Sequence, residues 1–324
     1  MAEYLLGFDI GGTKCAVALG KTEAEEITVL ERVSFATETA RGPEYALARL
    51  EESAQQVVAS HGLTLADIRA AGISCGGPLD SGRGVIQSPP NLPGWDDIPI
   101  TARFAQSLGV PVALQNDANA CALAEWRWGA GRGSRHMIFL TFGTGLGAGL
   151  ILDGHLYCGA SDLAGEVGHV RLAEDGPIGY HKAGSFEGFC SGNGIAQAGQ
   201  TLVLRARADG TPVAFYPEDR PIEGLTTQII AEAACSGDPL AQEIFATCAH
   251  YLGRGLAMLI DILNPELIVI GSIFARQHAL LWPTAARVIE QEALPPSARR
   301  CRVVPAMLGE AIGDYACLSV ALNI

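Results

Sequence analysis

Clusters of Lys and Arg are missing from this 324-residue chain, in which 22 basic residues stand against 35 acidic ones for a net charge of −13. An extended nucleic-acid surface needs a basic patch to neutralise phosphates. The balance therefore argues against a nucleic-acid partner, and any phosphate bound here is expected to belong to a small ligand. Paired cysteines are missing too. Nine cysteines lie singly at 15, 75, 121, 158, 190, 235, 248, 301 and 317, with no Cys-x-x-Cys. That pattern argues against a disulfide framework or a cysteine-rich metal site and for small core thiols in a reducing compartment. No basic segment followed by an apolar one opens the chain, and the longest apolar stretch, Gly255 to Leu263, is interrupted by Asp261 and too short to span a bilayer. These absences predict a cytoplasmic protein with no membrane partner.

What is present is apolar and glycine-punctuated. A chain of this length that is 48% hydrophobic can fill two domain cores. Tyr4 to Phe8 reads as a strand, Asp9-Ile10-Gly11-Gly12-Thr13-Lys14 as a glycine turn, and Cys15 to Leu19 as a returning strand. The layout recurs at 137–154: an apolar strand, Gly-Thr-Gly-Leu-Gly, a strand, then Asp153-Gly154. Turns with so few side chains let backbone amides approach a phosphate. Two copies suggest an α/β protein with a duplicated fold, one turn from each half facing a shared cleft.

Between the two turns lies the stretch of greatest chemical interest. The run Val112-Ala113-Leu114 reads as a buried strand, and Gln115-Asn116-Asp117 falls at its end, where open α/β sheets expose their chemistry. Asp117 is a candidate catalytic carboxylate, the bland alternative being that it caps the helix that follows, as Asn116 or Asn119 also could. The Ala-rich body to Trp128 reads as the helix that follows, ending before Gly129. Elsewhere, Glu44 to Ser60 has helical periodicity. The proline-rich segment Ser88 to Ile100 is a stiff loop holding Asn91 and Trp95, and Asp162 to Leu172 places Glu166 and His169 three apart, on a helix or an irregular turn. The segment Gly176 to Gly192 carries Glu187, and Leu267 to Ile270 reads as a strand closing on Gly271-Ser272.

Together these motifs resemble the ROK family of sugar kinases and repressors, within the actin, hexokinase and Hsp70 superfamily, over nearly the whole chain. LGFDIGGTKCAVALG and FLTFGTGLGAGLILDG are similar to its two phosphate hairpins, GGPLD with SPPNLPGW to its sugar-binding region, QNDANACALAEWRWGAG to its catalytic segment, and AGEVGHV to the signature that follows. The resemblance implies a two-lobed actin-like (ribonuclease H-like) fold with a central active-site cleft. It implies an N-terminal lobe over residues 1–117, completed by a C-terminal helix at about 311–324, and a C-terminal lobe over 118–310. It implies ATP-dependent phosphorylation of a hexose or hexose derivative, with ATP and Mg²⁺ as cofactors and a homodimer as the assembly. Asp117 would be the general base. Gly77, Asn91, Asn116, Glu166, His169 and Glu187 would bind sugar, and Asp9, Gly11, Gly12, Thr13, Lys14, Thr144, Gly145, Gly271 and Ser272 would meet the nucleotide. The competing expectation is a non-catalytic, sugar-sensing regulator without a DNA-binding domain, for which there is no room before Tyr4; an actin-like ATPase is a third. One departure stands out. Where members carry three zinc-binding cysteines after the signature histidine, this chain has Ile178, Tyr180 and Ser185. No structural zinc is therefore expected, His169, His181 and Cys190 being one short of a tetrahedral set, and Tyr180 and Phe186 are expected to replace the metal by apolar packing.

Overall fold

The computed structural model describes residues 2–24 and 26–323. They group into two compact units, one of residues 2–24, 26–134, 149–164 and 307–323, the other of residues 135–148 and 165–306.

In the first unit, β1 (Glu3–Ile10) pairs antiparallel with β2 (Lys14–Glu23) through the predicted hairpin, Ile10 opposite Cys15. Beyond Leu19, where the expected strand stopped, β2 continues and pairs with an edge strand, β3 (Glu26–Ala36). That strand buries only Ile27 and Phe35, so its alternation is too weak to read from sequence. On the other side β1 runs parallel to β4 (Ile68–Cys75). Past a short hairpin, β5 (Leu79–Asp80) and β6 (Val85–Ile86), comes β7 (Val112–Asn116), which completes the order β3-β2-β1-β4-β7. Helix α1 (Pro43–Ser60) has Pro at its first turn and buries Leu47, Leu50, Ala54, Val57 and Val58 at helical spacing against β2. Helix α2 (Ile100–Leu108) leads into β7, and α3 (Asp117–Trp128) leaves it.

The terminal helix, Ile312–Ala321, lies directly on β1 and β4. Glycine makes the approach possible: a Cβ on Gly7 would stand 2.3 Å from Cys317 Sγ, and one on Gly72 would stand 2.2 Å from the Cys317 carbonyl oxygen. Helix α3 packs along the same terminal helix, where Trp128 joins Cys317, Leu318 and Ala321 in an apolar cluster. Residues 118–134 therefore group with the first unit, past the expected boundary at Asp117.

The second sheet has the order β10-β9-β8-β13-β14, with β8 (Met137–Phe142), β9 (Leu146–Leu152) and β10 (His155–Tyr157) following one another. A two-residue hairpin joins β11 (Ile178–Gly179) to β12 (Lys182–Ala183). The helices of the second unit are α4 (Phe186–Phe189), α5 (Gly192–Ala208), α6 (Thr227–Cys235) and α7 (Pro239–Leu263). Asp238 followed by Pro239 is a helix-start signal in the sequence, a cap with proline at the first turn, and Asp238 caps α7 by accepting from Ala241 N, while Asn264 ends it in the left-handed region. β13 (Leu267–Ile270), α8 (Ile273–Arg276), α9 (His278–Glu292), α10 (Pro295–Arg300) and β14 (Arg302–Pro305) finish the unit, with β13 parallel to both β8 and β14. Among the described residues no helix is long and apolar enough to cross a membrane.

Candidate active site

The first unit gathers the residues predicted around the first turn. Gly11 N donates to Lys14 O (3.1 Å), and Thr37 Oγ1 donates to Gly11 O (2.6 Å), fixing the bend between β1 and β2. Asn91 packs on that bend: a Cβ on Gly12 would stand 2.3 Å from the Asn91 carbonyl oxygen, so only glycine lets the proline-rich loop come so near. Gly77 adjoins Asn116, whose Nδ2 would be 3.3 Å from a Cβ there. Trp95, from the same loop, is buried in the core and anchors it. Thr13 and Lys14 are exposed.

Asn116, not Asp117, caps α3, its Oδ1 accepting from Ala118 N at 2.9 Å. Asp117 is the first helical residue, and its Oδ1 also accepts from Ala118 N (2.8 Å). Beneath them Gln115 Oε1 accepts from Asn116 N (2.8 Å) and Asn119 Nδ2 (3.1 Å), which sets the bend where strand becomes helix. The Asp117 side chain is open to solvent, yet the density of protein around its carboxyl raises its proton affinity above the ordinary value, while bonds from backbone N–H groups pull the other way. Direct access of water moderates the rise. A carboxylate that is exposed, fixed at a helix start and made more basic is suited to accept a proton.

Asp9, at the end of β1, is pushed up to about 6, first by burial and then by the negative charges of Asp117 and Asp314, with Arg32 and Lys14 opposing. Arg32 Nε donates to Asp314 Oδ1 at 2.7 Å, and Gly313 leaves room for the Asp9 carboxyl, since a Cβ there would come within 3.1 Å of its Oδ2. This acidic group was missed in the sequence, apart from Asp9. A folded-state pKa above the unfolded value of 3.8 means that the contribution of Asp9 to stability is full below about pH 3.8 and is lost as pH rises through about 6. Asp9→Asn in ligand-free protein should therefore melt higher than wild type at pH 8, with the gap closing near pH 4. Equal melting temperatures at pH 8 would contradict the assignment.

The second unit holds the second turn, from Gly143 to Leu146. Gly143 N donates to Gly145 O (3.1 Å), and the turn is held from behind by Gly192 N to Gly143 O (2.8 Å) and Asn193 N to Thr144 O (3.4 Å). Glu187 Oε2 accepts from Leu146 N at 3.0 Å, and a Cβ on Gly145 would stand 2.7 Å from that oxygen. Thr144, Glu187 and Ser272 line a cavity of about 760 Å³ together with Ser191, Gly192 and Arg276. Gly271 instead follows the end of β13, its N donating to Leu140 O (3.0 Å), and a Cβ there would stand 3.3 Å from the Phe139 ring. Glu166 and His169 flank one 3₁₀ turn, Val167–His169, and both are exposed. Gly168 between them is required, because a Cβ would lie 2.1 Å from Leu146 O.

The loop of Gly176 to Gly192 is ordered partly as expected and partly not. Phe186 is buried and fills the space beside Gly255, whose added Cβ would meet the ring at 2.3 Å. Phe189 stacks on Tyr251 with centroids 3.5 Å apart. Gln197 bonds both ways with the backbone of Ile178, and Ser185 caps α4 by accepting from Gly188 N at 3.0 Å. Tyr180, expected to join this packing, is 65% exposed. Together with His181 it forms the tip of the β11–β12 hairpin, both at positive φ, a turn that turns the ring out of the core. Cys190 is buried, and its Sγ donates to Cys248 O at 3.5 Å. Among the described residues no three His, Cys, Asp or Glu side chains converge as a metal site.

The two five-stranded sheets define an α/β protein of the actin-like class, with glycine turns closing hairpins in both. The chain belongs to the ROK family, whose characteristic pattern matches residues 5–319. It is 30% identical over 323 residues to a glucokinase of Thermotoga maritima, covering 98% of this chain and 96% of that one. The solved structure of a ROK family glucokinase from Streptomyces griseus, in complex with glucose and AMPPNP, superposes with a TM-score of 0.76 at 29% identity, covering 99% of this chain and 100% of that one. The DNA-binding transcriptional repressor Mlc of Escherichia coli is 30% identical over 254 residues, 77% of this chain and 59% of the repressor.

Proposed function

We propose that this protein is an ATP-dependent sugar kinase acting on a hexose or hexose derivative, with Asp117 as general base. The observation that carries the reading is the Asp117 carboxyl, open to solvent, fixed at the start of α3 and raised in proton affinity. A sugar hydroxyl is a poor nucleophile near neutral pH. Transfer therefore needs that hydroxyl held in line with the phosphoryl group while a carboxylate takes its proton. Asn91, Asn116 and Gly77 in the first unit, with Glu166, His169 and Glu187 in the second, supply the donors and acceptors a polyhydroxylated ligand requires. Asp9, Gly11, Gly12, Thr13, Lys14, Thr144, Gly145, Gly271 and Ser272 serve the nucleotide. Its likeness to glucokinases supports ATP as the donor.

Mg²⁺ is usually held through one or two carboxylates plus phosphate oxygens and waters. Asp9 fits that need: its carboxyl is crowded by the charges of Asp117 and Asp314, and a cation there would relieve the repulsion. When bound, the ion would neutralise charge on the phosphates. The net charge and the absence of a basic cluster argue against a nucleic-acid partner. The single scattered cysteines favour a cytoplasmic protein, the lack of a long apolar helix among the described residues favours one without a membrane partner, and likeness to the ROK family supports a homodimer. Likeness to the Mlc repressor supports the alternative, a sugar-responsive regulator without catalysis. Coupled measurement of ADP release over a panel of glucose, N-acylated hexosamines, fructose, mannose, allose and β-glucosides tests the reading. Sugar-dependent release with at least one member is expected; none with any would leave the regulator.

Glu187 should serve two partners, since one carboxylate oxygen already holds Leu146 N. Glu187→Gln keeps an acceptor for that bond and should raise the Michaelis constant for sugar several-fold more than for ATP, the cost of an unpaired hydroxyl being about 1–3 kcal/mol. Glu187→Ala should raise both. Equal effects of the two variants on both constants would refute the division.

We further propose that the chain carries no structural zinc, the loop being held by the Phe186, Gln197 and Ser185 contacts. Elemental analysis of protein purified without chelators should find no stoichiometric zinc. About one zinc per chain, with a clear drop in melting temperature on chelation, would overturn this.

A further inference from the structure

Gln115 and Asn119 are 8% and 1% exposed, two amide side chains buried beneath the start of α3. One backbone group dictates how both lie. Asn116 N is a donor, so Gln115 must turn its side-chain oxygen toward it (2.8 Å), and that same oxygen then takes Asn119 Nδ2 (3.1 Å). Gln115 Nε2 is left facing Cys158 Sγ at 3.4 Å, with Asn119 Nδ2 at 3.8 Å from the same sulfur. Burial first, and the charge of Asp162 second, raise the Cys158 thiol above its ordinary value, so near neutral pH it meets the amides as a neutral acceptor.

The loop that carries Cys158 is itself tied down. Cys158 O accepts from Ala164 N (3.1 Å), and Asp162 accepts from Ser81 N (2.7 Å) and Ser81 Oγ (2.8 Å). Residues 158–164 therefore link the segment that follows Gly77 to the bend that presents Asn116 and Asp117. Asn119 Oδ1 is left buried and, among the described residues, without a hydrogen-bond partner. Apolar side chains of the same shape would avoid that cost. Such a network, directly beneath a candidate base, is expected where the placement of a side chain matters more than stability.

We propose that Gln115, braced by Cys158, is a positioning residue for phosphoryl transfer: it fixes the backbone at Asn116, and through it the Asn116 side chain and the Asp117 carboxyl. The lever is short. Asn116 Oδ1 and Asp117 Oδ1 both accept from Ala118 N, so a shift of the bend at Asn116 N displaces both groups together. A misplacement near 1 Å can cost about 10²-fold in rate. This role rests on the kinase reading, in which Asp117 takes the proton and Asn116 meets a sugar hydroxyl.

Gln115→Met, Gln115→Glu and Cys158→Val test it, with turnover, Michaelis constants for sugar and ATP, calorimetric sugar binding and melting temperature, the kinetics being measured well below the lowest melting temperature. Gln115→Met keeps the length of the side chain without its polar atoms; turnover should fall about 10–10²-fold and sugar affinity about threefold or more, with the ATP constant within about twofold. Gln115→Glu keeps an oxygen facing both donors, ionised or not, and should recover most of the lost turnover. Cys158→Val removes only the brace, a weak acceptor, and should lower turnover about threefold with the ATP constant again unmoved. A lower melting temperature with unchanged kinetic constants in Gln115→Met would make the network purely structural and overturn the proposal. So would equal losses in Gln115→Met and Gln115→Glu, or a parallel rise in the ATP constant. Should Gln115→Met not fold, Cys158→Val decides, and unchanged turnover there overturns the proposal. Full turnover in Asp117→Asn, or none in the wild type with any sugar, would instead overturn the reading beneath it, and those two arms separate the cases.

Discussion

Asp117→Asn should lower turnover by about 10²–10⁴-fold while leaving sugar binding nearly intact. The substitution removes the proton acceptor and little else. Its amide oxygen can still accept from Ala118 N, and the cap of α3 belongs to Asn116, so the helix start survives. The variant also removes a negative charge that helps to raise Asp9, so the Asp9 proton affinity should fall, and the acidic limb of any residual pH–rate profile should move to lower pH. Steady-state kinetics with calorimetric sugar binding checks both parts. Near wild-type turnover would remove Asp117 from the mechanism; lost sugar binding would make it a structural residue.

Glu125→Gln is expected to destabilise the chain by about 2–4 kcal/mol, the largest stability effect anticipated for a change that preserves volume. Glu125 is fully buried near the end of α3. Its Oε1 accepts from Met307 N (2.9 Å) and Leu308 N (2.8 Å), and its Oε2 accepts from Ala130 N (2.8 Å). One carboxylate therefore satisfies three backbone donors and ties the segment leading to the terminal helix onto α3. An amide places an N–H₂ against at least one of those donors, leaving a buried N–H unpaired. The midpoint of urea unfolding should fall clearly. An unchanged midpoint would mean that water or a shifted backbone replaces the bond.

The contrast between these two residues shows what was legible. The place of Asp117 at a strand end and helix start was readable because its signals are local: an apolar run, a polar cluster at its end, and an Ala-rich helix beyond. The glycine turns were readable for the same reason, and so was α7, announced by Asp238-Pro239. Glu125 was hidden in the same segment, since its partners lie 182 and 183 residues away. The Arg32–Asp314 pair spans 282 residues and left no trace in either local pattern. Strand β3 escaped because an edge strand with two buried side chains has little periodicity. Tyr180 was misjudged as packing because its apolar ring was weighed without its backbone: a two-residue hairpin tip at positive φ carries it outward. In the second unit, the link from Glu187 to the glycine turn, and the Ser272–Arg276 bond, depend on side-chain geometry that residue identity alone does not specify.

The most direct test of the account follows the label from ATP carrying a marked γ-phosphate, incubated with Mg²⁺, the purified protein and a sugar that supports ADP release. The account predicts that the label appears on the sugar in proportion to the ADP formed, and that Asp117→Asn slows the transfer by about 10²–10⁴-fold. Label recovered as inorganic phosphate at the same rate with or without sugar, or no turnover with any sugar despite tight sugar binding, would contradict it.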